Sequence, residues 1–240
     1  MYKNHFPFGI QVYGETIGEI WIDIIEAVIK EGKNCFDEGR KRKALENVRF
    51  KSNTQIMPDE LILKYGDEEN LNSMLDLTFK EPKMFDCDIT PSFSSGAKSY
   101  YQRIKEGKLI EYVIKRLSQI PESKKAVIVF PNYDDYQQVL NNMKDDYLPC
   151  LISIQFRLVK SDDKNHILNA TCNFRSLDIL QKGHGNLYSI AMMSKIIAEE
   201  LSKNLKTNVD VGFLDAMITD VHIYENTIEE ANKILNPINK

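Results

Sequence analysis

The stretch Leu148-Pro149-Cys150-Leu151-Ile152-Ser153-Ile154-Gln155-Phe156 places a thiol at the end of a turn and directly before an alternating apolar run. Alternation of this kind predicts a half-buried strand, here residues 151–160. A second apolar run, residues 167–174, follows the charged loop 161–166, and the two runs predict a hairpin-like pair of strands. The second run leads directly into Arg175-Ser176-Leu177-Asp178.

This order of residues predicts a nucleophile beside a phosphate site. Cysteine attacks as its thiolate, and a neighbouring guanidinium lowers the thiol pKa from its ordinary value of about 8.5. Arg175 is therefore placed to activate Cys150 and to fork onto a phosphate, whereas a buried structural cysteine is the simpler alternative. Two more segments favour the nucleophile. They are Gly185-Asn186, which opens a long helix, and Asp220-Val221-His222-Ile223-Tyr224 near the C-terminus.

Taken in order, these segments resemble the thymidylate synthase family. That family has a Pro-Cys nucleophile, a strand, Arg-Ser-x-Asp, an Asn eight residues past that Asp, and Asp-x-His-x-Tyr; the interval from Asp178 to Asn186 matches. The likeness extends to residues 100–103 and 121–125, covering residues 98–225 well and the first 90 in outline. It implies an α/β protein with the thymidylate synthase-like fold, a twisted mixed β-sheet flanked by helices, which forms a homodimer through the sheet.

The resemblance also implies a role for each matched residue. In such enzymes a thiolate adds to C6 of a pyrimidine nucleoside monophosphate, and C5 then takes a one-carbon unit from the cofactor 5,10-methylenetetrahydrofolate. The residues matched to catalysis are Cys150, Glu60, Tyr100 and Asp178. Those matched to the phosphate are Arg175 and Ser176, together with Lys124 and Lys125 from the partner subunit. Those matched to the base and sugar are Asn186, His222 and Tyr224.

Several of these assignments have alternatives. Glu46 competes with Glu60 for the general acid–base role, and Tyr101 competes with Tyr100. The ordinary structural alternative for Asn186 is the N-cap of its helix, a very common use of Asn. The corresponding alternatives are a turn cap for Ser176 and a structural histidine for His222.

The chain departs from the family pattern within the site. The residue after the nucleophile is Leu151 rather than His, the lent pair is Lys124-Lys125 rather than two arginines, and His184-Gly185 replaces Pro-Phe before Asn186. Sixteen residues follow Tyr224, so the segment that closes over folate in bacterial relatives is expected to be absent. An opened site favours water at the reacting carbon. We therefore expect hydroxymethylation of CMP or dCMP, with methylation of dUMP and a nucleotide-binding homologue without catalysis as alternatives.

Composition predicts one soluble, cytoplasmic domain spanning residues 1–240. Apolar residues make up 42% of the chain and charged residues 28%, which is ordinary for a globular protein. The net charge of −4 does not favour a nucleic-acid partner, and the run Arg40-Lys41-Arg42-Lys43 is typical of solvated surface, with contact to a phosphate as the alternative. The four cysteines lack metal-ligand spacing, so we expect no metal. No apolar run approaches the ~20 residues of a membrane span, so no membrane partner is expected.

Hydrophobic periodicity predicts the remaining elements. Thr16-Ile17-Gly18-Glu19 predicts a capping box that starts a helix ended by Gly32. Further helices are predicted for residues 107–120, for residues 134–143 and after Asn186. Further strands are predicted for residues 45–51, 126–130 and 209–224. The polar segments 65–72 and 91–96 are predicted to be loops.

Overall fold

The predicted mixed sheet is present in the computed structural model, which describes residues 2–6, 9–85, 97–141, 147–161 and 165–237. In these ranges the strands are β1 (Tyr2–Phe6), β2 (Gly9–Gly14), β3 (Lys33–Asp37), β4 (Arg40–Ser52), β5 (Val127–Val129), β6 (Leu151–Lys160), β7 (Asn165–Phe174), β8 (Leu177–Asp178) and β9 (Asn208–Tyr224). They pair in the order β1-β2-β4-β9-β7-β6-β5, with β3 beside β4 and β8 beside β9. The pairs β2/β4, β7/β9 and β8/β9 are parallel, and the other pairs are antiparallel.

Helices cover one face of this open sheet. They are α1 (Ile17–Glu31), α2 (Glu60–Tyr65), α3 (Glu68–Phe79), α4 (Tyr100–Gly107), α5 (Leu109–Gln119), α6 (Tyr133–Asn141), α7 (His184–Leu205) and α8 (Ile228–Leu235). Along β6, Ile154 and Phe156 are buried in the core, whereas the alternate residues Gln155 and Arg157 are only partly buried. The core therefore lies between the helices and one face of the sheet, which confirms the predicted fold class. Within the described ranges, no helix combines the length and the apolar character needed to cross a membrane.

The first helix begins and ends as predicted, with one difference in its cap. The Thr16 hydroxyl accepts the backbone N–H of Glu19 at 3.3 Å. The Glu19 carboxylate accepts from the backbone N–H of Glu15 at 2.7 Å, one residue before the expected partner. Gly32 follows the last turn, in agreement with the prediction.

The segment 65–72 was predicted to be a loop, and this prediction was wrong. Asp67 caps α3, its side chain accepting the backbone N–H of Asn70 at 2.8 Å, and Glu68 and Glu69 lie in the first turn. Carboxylates stabilise a helix N-terminus through the helix dipole. In the sequence alone, an acidic first turn resembles a polar loop. The helix is recognised only when its buried residues, which start at Leu71, are known.

The other predicted elements are present with shifted ends. The pair β6/β7 forms the expected antiparallel hairpin, and β5, α5 and α6 lie within or close to their predicted ranges. The predicted loop 91–96 lies outside the described residues, as do the last two residues of the predicted helix 134–143. Helix α4, which carries Tyr100, was not predicted.

Asp59 fixes the start of α2 and attaches it to α1. Its buried carboxylate accepts the N–H groups of Leu61 at 3.0 Å and Ile62 at 3.1 Å. It also accepts the N–H of Gly18 at 2.9 Å, across the contact between the two helices. A methyl group on Gly18 would lie 2.2 Å from the same carboxylate, so this close approach requires glycine.

We expect Asp59→Ala to lower the free energy of unfolding by about 2 kcal/mol, because it removes an N-cap and leaves the Gly18 N–H unpaired. Urea denaturation measures this change. Asp59→Asn keeps an acceptor oxygen at the cap and should lose less. Equal unfolding midpoints for Asp59→Ala and the wild type would contradict the assignment.

Candidate active site

The predicted nucleophile lies in a turn that Arg175 stabilises through hydrogen bonds. Cys150 is half-buried directly before β6, and its carbonyl accepts the backbone N–H of Arg175 at 2.9 Å. The exposed Arg175 guanidinium donates to the carbonyl of Leu148 from Nη2 at 2.6 Å and to that of Pro149 from Nε at 3.2 Å. In the described part of the chain, Nη1 has no partner. The structure therefore brings Cys150 and Arg175 together and leaves guanidinium donors for an anion.

Tyr100 lies on the other side of the same turn. Its buried hydroxyl accepts the backbone N–H of Leu151 at 3.0 Å, directly after the nucleophile. Burial raises the pKa of Tyr100, and the nearby Cys150 raises it further, so the phenol keeps its proton. The competing residue, Tyr101, is instead partly exposed beneath the ammonium of Lys105. Of the two tyrosines, Tyr100 is the one beside Cys150.

A buried ion pair fixes the position of Tyr100. Arg103, one turn further along α4, donates to both carboxylate oxygens of Asp135 in α6 at 2.6 and 2.7 Å. The same guanidinium donates to the carbonyl of Phe130 at 3.0 Å, and the Phe130 ring packs edge-on against Tyr100. Two-point pairing of this kind restricts the orientation of both helices.

The second half of the site forms where β8 runs parallel to β9. Leu177 pairs with Val221 and Asp178 with His222, so this pairing places Arg-Ser-x-Asp beside Asp-x-His-x-Tyr. The Ser176 hydroxyl lies 3.5 Å from His222 Nδ1. The two motifs, whose paired residues are 44 positions apart in the chain, thus lie side by side in the sheet.

Asp178 is buried and starts the turn that leads to Asn186. Its carboxylate accepts the N–H groups of Leu180 and Gln181 and the Gln181 side-chain amide at 2.7–3.1 Å. The backbone then forms a π-helix, Ile179–Gly183, before α7. The carbonyl of Ile179 accepts the indole N–H of Trp21 at 2.7 Å, which attaches this turn to α1.

Asn186 is not an N-cap, so that alternative was wrong. It is the third residue of α7, because the preceding π-helix continues directly into the helix. Its Nδ2 donates to the carbonyl of Lys182 at 2.9 Å, which leaves the side-chain oxygen as an acceptor. The buried Asn186 and Asp178 therefore carry carboxylate and amide oxygens, which fit the N–H groups of a pyrimidine or a pterin ring.

The segment directly before Asn186 differs from the family pattern, because it contains His184-Gly185 in place of Pro-Phe. His184 is fully buried, and its Nε2 donates to the carbonyl of Asp67 at 3.1 Å. Burial lowers the pKa of His184, so the neutral ring is favoured. A Cβ on Gly185 would lie 2.6 Å from Cβ of Met74, so α3 approaches α7 more closely than any larger residue permits.

Asp220 orients His222 from its own strand. Its carboxylate lies 3.0 Å from His222 Nδ1, and it also binds both terminal nitrogens of Arg42, one of them at 3.0 Å. Burial by itself would raise the pKa of Asp220, but the hydrogen bonds from His222 and Arg42 outweigh burial and lower that pKa to about 2. Asp220 is therefore an ionised acceptor at neutral pH.

Tyr224 has its own charged partners. Its hydroxyl donates to the Asp37 carboxylate at 3.0 Å, and the Arg40 guanidinium lies over its ring, 5.0 Å from the centroid. Arg40 also binds the Asp37 carboxylate at 3.0 Å. The rings of His222 and Tyr224 meet edge-to-face with centroids 5.1 Å apart.

Sequence reasoning missed the contribution of the β3/β4 hairpin. The run 40–43 was predicted to be solvated surface, but alternation along β4 directs Arg40 and Arg42 toward the side chains of Tyr224 and Asp220. Pairing of Arg42 with Tyr224 in the strand register makes these contacts possible. The sequence signal for these contacts was the alternation of the basic run, which places Arg40 and Arg42 on the same face of the strand. The partners of the two arginines could be identified only once the neighbouring strand was known.

The remaining predicted site residues, the two glutamates and the two lysines, are exposed. Glu60 is exposed at the first position of α2, whose C-terminal Gly66 touches His184. Glu46 is exposed in β4, paired in register with Asp220. Lys124 and Lys125 are exposed directly before β5. Among the described residues, no group of three His, Cys, Asp or Glu side chains is placed to hold a metal ion.

The fold and this site define a mixed α/β protein with a cysteine turn beside an arginine and a buried Asp–Asn–His–Tyr set. The thymidylate synthase family model matches residues 51–239. The chain is 24% identical to a thymidylate synthase of Streptococcus sanguinis (strain SK36) over 73% of this chain and 58% of that protein. It is 25% identical to a thymidylate synthase of Lactococcus lactis subsp. cremoris (strain SK11) over 57% of this chain and 45% of that protein. The chain thus spans about half the length of the curated relatives it matches. It belongs to the thymidylate synthase family, which confirms the resemblance.

The lowered pKa of Asp220 predicts a pH-dependent stability. Its ionised form stabilises the folded chain above the ordinary carboxyl pKa, and that contribution is lost as the pH falls toward about 2. We expect Asp220→Asn to lower the free energy of unfolding by about 2 kcal/mol at about pH 7. Urea titrations at pH 7 and at about pH 3 should show the difference from wild type shrinking at the lower pH. A difference independent of pH would contradict the assignment.

Proposed function

We propose that this chain transfers a one-carbon unit from 5,10-methylenetetrahydrofolate to C5 of a pyrimidine nucleoside monophosphate. The observation that carries this proposal is the convergence of Arg175 and Tyr100 on the turn of Cys150. The membership of the family supports it. The nucleotide phosphate would bind the free donors of Arg175 and the Ser176 hydroxyl, which places the pyrimidine toward Asn186 and the sugar toward His222.

The reaction begins with Cys150. Its thiolate sulfur bonds to C6 of the pyrimidine, and the electron pair of the C5–C6 double bond moves toward C5, which becomes the carbon nucleophile. After C5 has bonded the donated carbon, a general base would remove the C5 proton, and the bond between the donated carbon and the folate nitrogen would break, which leaves an exocyclic methylene on C5. Addition of water or a hydride to that methylene and expulsion of the Cys150 sulfur would then restore the ring double bond. Tyr100, whose phenol keeps its proton beside the thiol, is placed to donate a hydrogen bond during these steps.

The folate cofactor supplies a carbon at the oxidation level of formaldehyde. Asp178 is the residue that would face its ring, since its buried carboxylate presents acceptor oxygens, whereas Asn186 is the amide proposed to read the pyrimidine edge. Glu60, with Glu46 as the alternative, is proposed as the general acid–base residue. Glu60 is favoured because Gly66 and Asp67, which directly follow α2, contact His184 in the first turn of α7, the turn that carries Asn186.

The proposed product is a hydroxymethyl group on CMP or dCMP. Leu151 stands where the family has His, and its side chain is buried in the core, so it supplies no polar ring beside the nucleophile. His184 and Gly185, which replace the family's Pro-Phe, change the packing directly before Asn186. We infer that this altered site admits water to the exocyclic carbon, and addition of water there gives the hydroxymethyl group and requires no hydride.

The second candidate is reductive methylation of dUMP to dTMP. It is favoured by Asn186, because a neutral amide can pair with the N3–H and O4 of uracil. The names of the matched relatives also favour it. A carboxylate at this position would suit cytosine better.

We further propose that the chain acts as a homodimer through the outward face of the sheet. Tyr13, Val159 and Met217 are exposed there, and large exposed apolar side chains on one face are typical of interfaces. A hollow of about 470 Å³ lies on the same face and is lined by residues that include Gln11, Arg49 and Met217. It shares no lining residue with the Cys150 turn, so we assign it to the interface rather than to substrate.

The product is tested by mass spectrometry of CMP, dCMP, UMP and dUMP incubated with 5,10-methylenetetrahydrofolate in oxygen-18 water. We expect a cytosine nucleotide to gain a hydroxymethyl group carrying the label, because the oxygen comes from solvent. Methylated dUMP without label, accompanied by rising dihydrofolate absorbance, would establish the second candidate instead.

The control for this experiment is Cys150→Ala. Release of tritium from C5-labelled nucleotides reports the covalent step and should stop in this variant. Cys172→Ala is the matched control, since burial raises the pKa of the Cys172 thiol and keeps it unreactive. Release that persists without Cys150 would refute the mechanism. Tight nucleotide binding without any release would indicate a homologue that has lost catalysis.

The shared site is tested by mixing two inactive proteins. Lys124→Glu/Lys125→Glu subunits keep Cys150, and Cys150→Ala subunits keep both lysines, so a mixed dimer has one complete site. We expect equal mixing to restore about a quarter of wild-type activity, since half of the dimers are mixed. A chain that sediments as a monomer and is fully active at low concentration would exclude shared sites.

A further inference from the structure

The hydroxyl proton of Tyr224 is used in a hydrogen bond within the protein. Its hydroxyl donates to Asp37, and Arg40 binds the same carboxylate. The Asp37 carboxylate is the acceptor in both contacts. Burial raises the pKa of Tyr224, so the phenol keeps its single proton, and that proton lies on the bond to Asp37. The Tyr224 oxygen therefore offers a ligand only its lone pairs.

Asp220 makes His222 a hydrogen-bond acceptor toward a ligand in the same way. The ionised Asp220 accepts from Nδ1, which fixes the hydrogen of a neutral imidazole on Nδ1 and leaves Nε2 as an acceptor. No group in the described part of the chain bonds Nε2. Both side chains at the sugar end of the site are therefore acceptors.

The other groups around this pair do not supply a missing donor. Asp178, the register partner of His222, accepts hydrogen bonds from the π-helix and has no proton to donate to the sugar. The Ser176 hydroxyl lies on the Nδ1 side of the His222 ring, 3.5 Å from that nitrogen. The Arg40 guanidinium faces the ring of Tyr224 and the Asp37 carboxylate.

Two acceptors require two donated protons. The 3′-hydroxyl of a 2′-deoxynucleotide carries one proton and can satisfy one acceptor, whereas the vicinal 2′,3′-diol of a ribonucleotide carries two. We propose that Asp37 and Asp220, by fixing Tyr224 and His222 as acceptors, make this site selective for ribonucleotides over 2′-deoxyribonucleotides. The inference rests on the proposed function, from which it takes only that His222 and Tyr224 face the sugar.

Binding of CMP, dCMP, UMP and dUMP to full-length Cys150→Ala protein, measured by calorimetry without turnover, tests the proposal. We expect each ribonucleotide to bind about tenfold or more tightly than its deoxy counterpart, because an unpaired acceptor costs roughly that factor. Equal or tighter binding of both deoxynucleotides would overturn the proposal. The ratio of two ligands within one variant does not depend on the fraction of protein that is folded.

Two substitutions in the Cys150→Ala background identify the cause of the selectivity. Asp37→Leu frees the Tyr224 hydroxyl to donate, so that one 3′-hydroxyl can accept from Tyr224 and donate to His222. The ribose preference should then fall by about tenfold. Arg40→Met removes the same ion pair but keeps the Asp37 carboxylate, and should retain the preference. An unchanged ratio in Asp37→Leu would overturn the proposal.

A spectroscopic measurement checks His222 without any ligand. In protein with nitrogen-15-labelled histidine, the signals that disappear in His222→Gln belong to this ring, and they should show hydrogen on Nδ1. A ring with hydrogen on Nε2 would overturn the proposal. Failure of all four nucleotides to bind would refute the proposed function itself, whereas labelled product formed equally from CMP and dCMP would refute the sugar selectivity alone.

Discussion

The pairing of β9 with its neighbours is the constraint on which the rest of the structure depends. This 17-residue strand bonds β4 on one side and β7, then β8, on the other. Its first part holds the centre of the sheet, and its last five residues carry Asp220, His222 and Tyr224. Because β8 pairs in register with those residues, a shift of one position would turn His222 away from Asp178. The same hydrogen bonds therefore fix the fold and the site.

The charged groups of the site fall into two classes with different physical roles. The Arg103–Asp135 pair is buried, and both partners satisfy several hydrogen bonds, so it restricts the arrangement of α4, α6 and Tyr100. Removing one partner of such a pair leaves a buried charge, which costs far more than the intact pair contributes. The pairs Arg42–Asp220 and Arg40–Asp37 are more exposed. They act on His222 and Tyr224 by setting which atoms carry protons.

The proposed catalysis and the stability of the fold make opposing demands near Cys150. A nucleophilic thiol must be accessible, and Cys150 lies in a half-buried turn rather than within β6. The backbone and guanidinium of Arg175 and the hydroxyl of Tyr100 supply hydrogen-bond partners to this turn. A turn held from both sides can present a nucleophile with little conformational freedom.

The sequence by itself determined the family and the fold class, and it indicated the residues of the candidate site. Motif order identifies Cys150, Arg175, Asp178, Asn186 and His222 because their spacing follows from the chain alone. The patterns of α1, β6 and β7 are local, since each depends on a period of 2 or 3.6 residues. Tertiary structure alone decided the conformation around Asn186, the helix start at Asp67 and the roles of Asp37, Arg40 and Arg42. Those features depend on partners more than a hundred residues away in the chain, as in the bonds Tyr224–Asp37, Arg42–Asp220 and His184–Asp67. The direction of the hydrogen bonds of His222 and Tyr224 was also decided by the tertiary structure, because a donor or acceptor role is set by the neighbouring group and not by residue type.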